Sequence, residues 1–255
     1  MLTLPFNEIH LWFTFPHKVS DLHLLSRYRQ LLSSDEQQRW QRFRFQQHQH
    51  QYLMTRALVR TTLSRYLDDP PENWQFSTNQ YGKPSITPAR DLFFNLSNTE
   101  TLIVCALSRQ PNIGVDVETQ QHRSHPVDIA QRFFSPHEVD ELLKGPISSQ
   151  RQRFFQYWTL KESYIKAKGM GLSQPLEQFS FSINLDKKRL KLSFDEKLKE
   201  VSSHWDYWLL DINAQHYGAI CIYNPQQTVY QLKAKGVVPL ETETQFDYTL
   251  LAMSE

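Results

Sequence analysis

Residues 113–118, which read Ile-Gly-Val-Asp-Val-Glu, carry the pattern that decides the fold around them. Successive side chains of a β-strand point to opposite faces, so the three aliphatic residues share one face and Gly114, Asp116 and Glu118 share the other. The aliphatic face must pack on a core. The opposite face then presents two carboxylates one pleat repeat apart, and we expect open space beside the glycine.

Two carboxylates on one strand face, with no histidine or cysteine beside them, suit a hard cation such as Mg²⁺. The same pattern is also typical of an edge strand whose acidic face is solvated, and such strands are common. Residues 113–118 alone therefore favour the edge strand.

A second segment, residues 158–169, predicts a helix that carries a third carboxylate. At 3.6 residues per turn, Phe155, Trp158, Glu162 and Ile165 lie on one stripe. A carboxylate within an aromatic stripe is costly to bury unless it is paired or bound to a metal. This placement favours a functional role for Glu162.

The alternative for Glu162 is a surface ion pair with Lys166, its i,i+4 neighbour, worth only tenths of a kcal/mol. That alternative predicts Glu162 on the polar face, whereas the helical wheel places it with the aromatic residues. Asp116, Glu118 and Glu162 together form a candidate Mg²⁺ site, and Lys166 lies one turn further along the helix. Such a site indicates phosphoryl-type chemistry, in which charge neutralisation carries most of the catalysis.

The summed charge excludes a general polyanion binder, because the 255 residues have a formal net charge of +1. Arginines are nevertheless concentrated in residues 27–65, where Asp35 and Glu36 are the only acids. We consider a solvated helix face, a nucleic-acid surface and a local anion site, and charge alone favours the solvated face. The arginines are Arg27, Arg29, Arg39, Arg42, Arg44, Arg56, Arg60 and Arg65.

The two cysteines, Cys105 and Cys221, lie in apolar runs and are predicted to be buried thiols, as expected in a reducing cytoplasm. The N-terminal residues indicate a strand rather than a signal peptide, and no apolar run is long enough to span a membrane. His122 and His125 have no cysteine or HExxH pattern near them, so we do not predict a zinc site.

The periodicity predicts an α+β fold, because helices and strands occur in blocks without a regular βαβ alternation. A solvated acidic extension is expected after Lys235, in which Val237 and Val238 could add an edge strand. Helices are predicted over 20–32, 34–66 (with Ser34 as N-cap), 128–134, 136–143 and 150–168. Strands are predicted over 8–15, 74–77, 93–96, 101–107, 113–118, 179–183, 190–194, 207–212 and 217–223.

These segments, in this order and spacing, resemble the Sfp-type 4'-phosphopantetheinyl transferases over residues 33–223. The resemblance implies two similar α/β lobes related by a pseudo-twofold axis, with coenzyme A in the cleft between them. It divides the chain into residues 1–112, residues 113–230 and an extension over 231–255. The segments are FSTNQYGKPSI (76–86), FFNLSNTE (93–100), IGVDVE (113–118), RFFSPHEVDEL (132–142) and YWTLKESYIKAKGMGLSQPLEQFSF (157–181).

The resemblance also implies an activity: transfer of the phosphopantetheine arm of coenzyme A to a serine of an apo carrier protein of the acyl or peptidyl type. It implies that Asp116, Glu118 and Glu162 hold Mg²⁺, with Mn²⁺ as the alternative. Glu162 would act as general base, directly or through water, and Lys166 would neutralise the β-phosphate. Trp158 and Lys161 would support this site. Which carrier protein is modified stays open.

For coenzyme A binding, the resemblance implies that Lys83 contacts the adenosine phosphates and that Arg39 and Arg44 contact the 3'-phosphate. Ser97 belongs to the same site. Where the family has histidine after this serine, the chain has Asn98, which can donate a hydrogen bond but cannot be a cation. The resemblance further implies a monomer. The alternatives are a non-catalytic module that binds coenzyme A or a carrier, and a nucleic-acid binder, which leaves the three carboxylates unexplained.

Overall fold

The computed structural model describes residues 1–120 and 126–254, so the predicted absence of zinc at His122 and His125 concerns residues outside the described ones. The strands of the described part are β1 (Glu8–Thr14), β2 (Gln75–Thr78), β3 (Pro84–Thr87), β4 (Phe93–Asn98), β5 (Ile103–Ser108), β6 (Ile113–Thr119), β7 (Phe179–Asn184), β8 (Arg189–Phe194), β9 (Trp205–Ile212), β10 (His216–Tyr223), β11 (Gln231–Val238), β12 (Thr242–Gln245) and β13 (Thr249–Ser254). The helices are α1 (Leu22–Gln30), α2 (Ser34–Gln41), α3 (Gln46–Leu63), α4 (Pro126–Phe133), α5 (Pro136–Lys144) and α6 (Ile147–Lys168).

The first lobe is built on a five-stranded sheet in the order β12-β11-β1-β5-β4, with the β2–β3 hairpin as a separate two-stranded sheet. Helices α1 to α3 supply the residues that cover one face of the five-stranded sheet, where Trp12, Leu58 and Leu63 are buried in one apolar cluster. The single helix predicted over residues 34–66 is wrong, because α2 and α3 are separate helices.

Side-chain hydrogen bonds stabilise the break between α2 and α3. The Trp40 indole donates to the Gln49 carbonyl at 3.1 Å, and the Gln49 amide donates to the Phe43 carbonyl at 3.0 Å. The predicted N-cap of α2 is also displaced by one residue. The N-cap is Ser33, not Ser34. The Ser33 hydroxyl accepts from the Glu36 N–H, and the Glu36 carboxylate accepts from the Ser33 N–H, which together form a capping box.

The second lobe has a six-stranded sheet in the order β6-β10-β9-β13-β8-β7. Helix α6 packs on this sheet, and its aromatic residues Phe154, Tyr157 and Tyr164 are buried with residues of α4, α5 and the sheet. This arrangement places α6 beside β6, the strand that carries Asp116 and Glu118.

The two sheets share a third apolar cluster, which is formed by the strand faces that point away from the helices. From the first sheet it contains Ile9, Leu11 and Phe13 of β1, and from the second it contains Val115 and Val117 of β6. Helices therefore lie outside and sheets inside. The α+β fold and the aliphatic face of residues 113–118 are confirmed.

The expectation of a solvated extension after Lys235 is wrong for residues 236–254, although Val237 and Val238 do lie in a strand, as the alternative allowed. Strand β11 pairs in parallel with β1, and β12 pairs with β11, so both belong to the first sheet. Strand β13 lies between β9 and β8 in the second sheet, with Ala252 fully buried. Sheet membership changes between β5 and β6, and the domain boundary at residues 112–113 stays a prediction.

Both cysteines are free and buried, as predicted. Burial raises the pKa of the Cys105 and Cys221 thiols. Among the described helices, none combines the length and the hydropathy needed to cross a bilayer.

Candidate active site

The site begins at a seam where β4, an edge strand of the first sheet, meets β6, an edge strand of the second. Asn95 Oδ1 accepts a hydrogen bond from the Val115 backbone N–H at 2.9 Å, and Ser97 Oγ accepts one from the Val117 N–H at 3.2 Å. Alternate side chains of β4 thus satisfy backbone donors that a buried edge would otherwise leave unpaired.

Asp116 lies at the centre of this seam and is 3% exposed. Ser97 Oγ donates to Asp116 Oδ1 at 2.8 Å, and the Lys166 ammonium lies 2.6 Å from the same oxygen and 2.9 Å from Ser97 Oγ. The second carboxylate oxygen, Oδ2, is buried and receives no hydrogen bond from any described residue. Burial raises the pKa of Asp116, against the opposing effect of Lys166.

Glu118 and Glu162 are partly buried beside Asp116 and interact with it electrostatically. Burial, together with the charge of Asp116, raises the pKa of Glu118 to about 7, although a hydrogen bond with the Trp158 side chain acts in the opposite direction. Burial and the charge of Asp116 likewise raise the pKa of Glu162 to about 7, against Lys166. Three carboxylates and one ammonium therefore share a poorly solvated region, as the predicted grouping of these four residues requires.

Gly114 has a different role from the one that its pattern predicts. It leaves no open space, because a Cβ atom at this position would lie 2.0 Å from the Ser163 carbonyl oxygen and 2.4 Å from the Ala167 backbone nitrogen. The backbones of β6 and α6 are therefore in close contact. This contact brings the two strand carboxylates near Glu162 and Lys166 on the helix.

The carboxylates do not form a ready-made metal cage. In residues 1–120 and 126–254, no group of three or more histidine, cysteine, aspartate or glutamate side chains is arranged to hold a metal ion. The Lys166 ammonium instead neutralises Asp116. The donors nevertheless fit a hard cation, because all are carboxylate oxygens and Asp116 Oδ2 is buried without a partner.

The structure places Lys161 away from the three carboxylates of the site that it was expected to support. Its side chain is fully buried in the second lobe, where the ammonium lies 2.7 Å from the equally buried carboxylate of Glu138. It also donates to the carbonyls of Leu176 at 2.7 Å and Phe179 at 2.6 Å. The adjacent residue Glu162 lies on another face of α6, so the two side chains point to different environments.

Lys83 is also engaged by the protein. Its ammonium donates to the carbonyls of Ile113 and Ala167, at 3.0 Å each, and burial lowers its pKa to about 8. A phosphate contact by Lys83 stays a prediction. A cleft of about 200 Å³ lies beside it and is lined by Tyr81, Leu96 and Lys166, among others. A larger cleft of about 450 Å³ shares Lys83 but is lined by none of the three carboxylates.

Arg39 and Arg44 are exposed on the first lobe, and neither forms an ion pair with a described residue. Their guanidinium groups lie over the rings of Tyr52 and Phe45, at 5.6 Å in each case. Asn98 is exposed at the end of β4. Contacts of these three residues with a 3'-phosphate stay predictions. By contrast, Arg27, Arg56, Arg60 and Arg65 form ion pairs with acids of the chain.

Asn95 is the residue of this site that the sequence pattern did not single out. It stands two residues before Ser97 on β4, so both side chains point to the same face and reach the same neighbouring strand. That alternation was the available signal. Without knowledge that β4 and β6 meet, however, it did not indicate a partner.

Buried carboxylates and a lysine that converge at the seam of two lobes are typical of enzymes that transfer phosphate-linked groups. Residues 112–221 match the family model of the 4'-phosphopantetheinyl transferase superfamily, and residues 20–110 match that of the 4'-phosphopantetheinyl transferase N-terminal region. The chain belongs to the 4'-phosphopantetheinyl transferase superfamily, and the predicted family, two-lobed fold and transferase activity are confirmed.

Among its relatives is 4'-phosphopantetheinyl transferase Sfp of Bacillus subtilis, which is 36% identical over 160 residues, covering 63% of this chain and 70% of that protein. Another is 4'-phosphopantetheinyl transferase HetI of Nostoc sp., which is 35% identical over 186 residues, covering 71% and 77%. A phosphopantetheinyl transferase of Thraustochytrium sp. is 28% identical over 166 residues, covering 60% and 58%.

Proposed function

We propose that this chain transfers 4'-phosphopantetheine from coenzyme A to a serine of an apo carrier protein at the seam between its lobes, with Mg²⁺ held by Asp116, Glu118 and Glu162. The observation that carries the proposal is the junction of Ser97, Asp116 and Lys166. At this junction the Lys166 ammonium and the Ser97 hydroxyl bind one oxygen of the Asp116 carboxylate, and the other oxygen is buried without a partner among the described residues.

The three carboxylates are the residues that would hold the divalent cation, for which Mn²⁺ is an alternative. A bound cation of this kind supplies charge neutralisation to a diphosphate and orients its oxygens. Ser97 Oγ donates to Asp116 and accepts from both the Val117 N–H and the Lys166 ammonium, and these bonds keep Asp116 in a fixed orientation.

The reaction is one displacement at the β-phosphorus of coenzyme A. The carrier serine oxygen forms a bond to this phosphorus, and the bond to the oxygen that bridges the two phosphorus atoms breaks. Adenosine 3',5'-bisphosphate leaves with the electron pair. Glu162 accepts the serine proton, directly or through water, and the Lys166 ammonium neutralises charge on the phosphoryl group.

Binding of coenzyme A depends on the basic side of the first lobe. We propose that Arg39 and Arg44 contact the 3'-phosphate, because they are exposed cations without an acidic partner in the described residues. Asn98 contributes a neutral donor there. Substitution of Asn98 by histidine is expected to tighten coenzyme A binding, as an isothermal titration would measure; an unchanged Kd would show that the site already compensates.

The test is incubation of the protein with coenzyme A, Mg²⁺ and a panel of apo carrier proteins, followed by mass spectrometry of each carrier. Asp116→Ala and Glu162→Ala are each expected to reduce turnover at least about 100-fold, because each removes charge at the reacting centre. Glu196→Ala removes an exposed acid from a short 3₁₀ helix outside the site and is the control. Full turnover of either active-site variant contradicts the proposal.

The same assay distinguishes the alternative function. A module that only binds would retain coenzyme A in a titration while no carrier in the panel gains mass.

A monomeric state and a cytoplasmic location complete the proposal. Sedimentation velocity of the full chain tests the first, and fractionation of the source cells tests the second.

A further inference from the structure

A loop of the first lobe holds the C-terminal end of α6 in the second lobe. The loop joins β2 to β3, and Asn79 shapes it by accepting hydrogen bonds from the backbone N–H groups of Tyr81 at 2.9 Å and Lys83 at 3.0 Å. The amide nitrogen of the same Asn79 side chain donates to the Gly169 carbonyl, directly after α6, at 2.7 Å.

Lys83 completes the contact from the other end of the loop. Its ammonium donates to the carbonyl of Ala167 in the last turn of α6 and to the carbonyl of Ile113 at the start of β6. The last four carbonyls of a helix lack intrahelical partners, and the negative end of the helix dipole attracts a cation. Asn79 and Lys83, which we call the clamp, thus join the loop, β6 and α6.

The shape of the helix end fits this clamp. Gly169 has a φ of +70°, which favours glycine, and it ends α6. A Cβ atom at Gly169 would lie 3.0 Å from Cδ of Lys83 and 3.1 Å from Nδ2 of Asn79. A side chain at this position would therefore displace both members of the clamp as well as strain the backbone.

The clamped turn carries Lys166, and the loop and the turn line the same cleft of about 200 Å³. The separation between the loop and α6 therefore sets both the width of this cleft and the position of the Lys166 ammonium relative to Asp116. A shift of about 1 Å at a reacting group is enough to reduce a rate about 100-fold.

We propose that Asn79 and Lys83 are positioning residues that fix the Lys166-bearing turn of α6, so that Lys83 acts on the transfer through the helix and not through contact with the phosphates of coenzyme A. The proposal deepens the proposed function and rests on it. It assigns Lys83 a role different from the one that the family resemblance implies.

The experiment compares two clamp variants with the wild-type chain. Lys83→Met removes the ammonium and keeps an apolar stem of similar length. Asn79→Asp keeps the oxygen that accepts from the loop but removes the donor to Gly169. Asn184→Asp is the matched control. Asn184 Oδ1 accepts from the Lys187 N–H in a distant turn, and the substitution introduces the same change of charge there.

Three quantities are measured for each protein. Hydrogen exchange of the coenzyme-free protein follows the Gly169 amide, which donates to the Ile165 carbonyl. A titration gives the Kd and the number of coenzyme A sites. Turnover of a carrier protein, divided by that number of sites, gives a kcat that is independent of any misfolded fraction.

Both clamp variants are expected to exchange the Gly169 amide faster and to lose about 10- to 100-fold in kcat, with Kd for coenzyme A within about threefold of wild type. If Lys83 instead contacts phosphate, Lys83→Met raises Kd by about 10- to 100-fold with unchanged exchange, which overturns the proposal. Wild-type exchange and kcat in Asn79→Asp also overturn it. An inactive wild-type chain refutes the proposed function, while exchange still reports on the clamp.

Discussion

Substitution of Gly114 by alanine tests the contact that brings the two halves of the site together. The added Cβ atom would lie 2.0 Å from the Ser163 carbonyl oxygen, whereas ordinary contacts begin at 3.4 Å, so the backbones of β6 and α6 must separate by about 1.4 Å. Both atoms that the methyl group meets first belong to the helix backbone. Rotation of a side chain therefore cannot relieve the clash.

Two consequences have estimable sizes. Overpacking of a core costs about 1–3 kcal/mol, and because the clash is with backbone we expect Gly114→Ala to cost about 3 kcal/mol. For a chain of this size, that corresponds to a fall in Tm of roughly 6–12 °C. The same separation moves Asp116 away from Lys166 and is expected to reduce kcat about 100-fold.

The assay is thermal unfolding by circular dichroism, together with carrier-protein turnover at a temperature well below both transitions. Gly145→Ala is the control, because the nearest atom to its Cβ is the flexible Ser149 hydroxyl at 3.3 Å. We expect the control to stay within about 0.5 kcal/mol of wild type. Wild-type Tm in Gly114→Ala would refute the packing, and a lower Tm with wild-type kcat would refute the link from packing to catalysis.

Glu138→Gln leaves the Lys161 ammonium buried without its charge partner and is expected to lower the free energy of unfolding in urea by about 3–5 kcal/mol. Adding Lys161→Met should restore most of that loss, and no recovery would contradict the pairing. Burial lowers the pKa of His216, so the unfolded chain binds its proton at higher pH and stability falls as the pH drops below about 6.5. His216→Gln should flatten this acid limb in pH-dependent unfolding, and an unaltered limb would contradict the reasoning. Burial raises the pKa of both Cys105 and Cys221, so neither thiol should react with a disulfide reagent at pH 8 until the chain unfolds; rapid labelling of the native protein would show that one is accessible.

The parts of the site that the sequence revealed are those set by local geometry. The period of two in residues 113–118 is a property of the strand backbone, so it placed Asp116 and Glu118 on one face without knowledge of the partners. The period of 3.6 separated Glu162 from the surface in the same way. The pattern does not show what packs against that face, so it predicts open space beside Gly114 where the structure has a contact with α6.

The errors in the fold have non-local causes. No glycine or proline marks residues 42–45, and the break there depends on bonds between Trp40 and Gln49 that only the folded chain forms. The acids after residue 235 suggested a solvated tail because their partners lie far away in sequence. Glu241 pairs with Arg27 at 2.6 Å, and Glu243 pairs with Arg65.

Lys161 shows the same limit at the level of one residue. It precedes Glu162 in the motif that also carries Lys166, so proximity in sequence suggests a shared role. On a helix, however, adjacent residues point about 100° apart. The direction of Lys161 was decided by Glu138, which lies on α5.

The seam explains why the site needs both lobes. Strand β6 belongs to the second sheet, yet the backbone groups on either side of Asp116 donate to side chains of β4 in the first sheet. A side-chain ladder of this kind fixes the register of two edges without merging the sheets, which also share the third apolar cluster. The orientation of Asp116 is then determined by Ser97 from one lobe and Lys166 from the other. Any change that shifts the lobes therefore alters the surroundings of this carboxylate together with the shared apolar cluster, so we expect turnover and Tm to fall together.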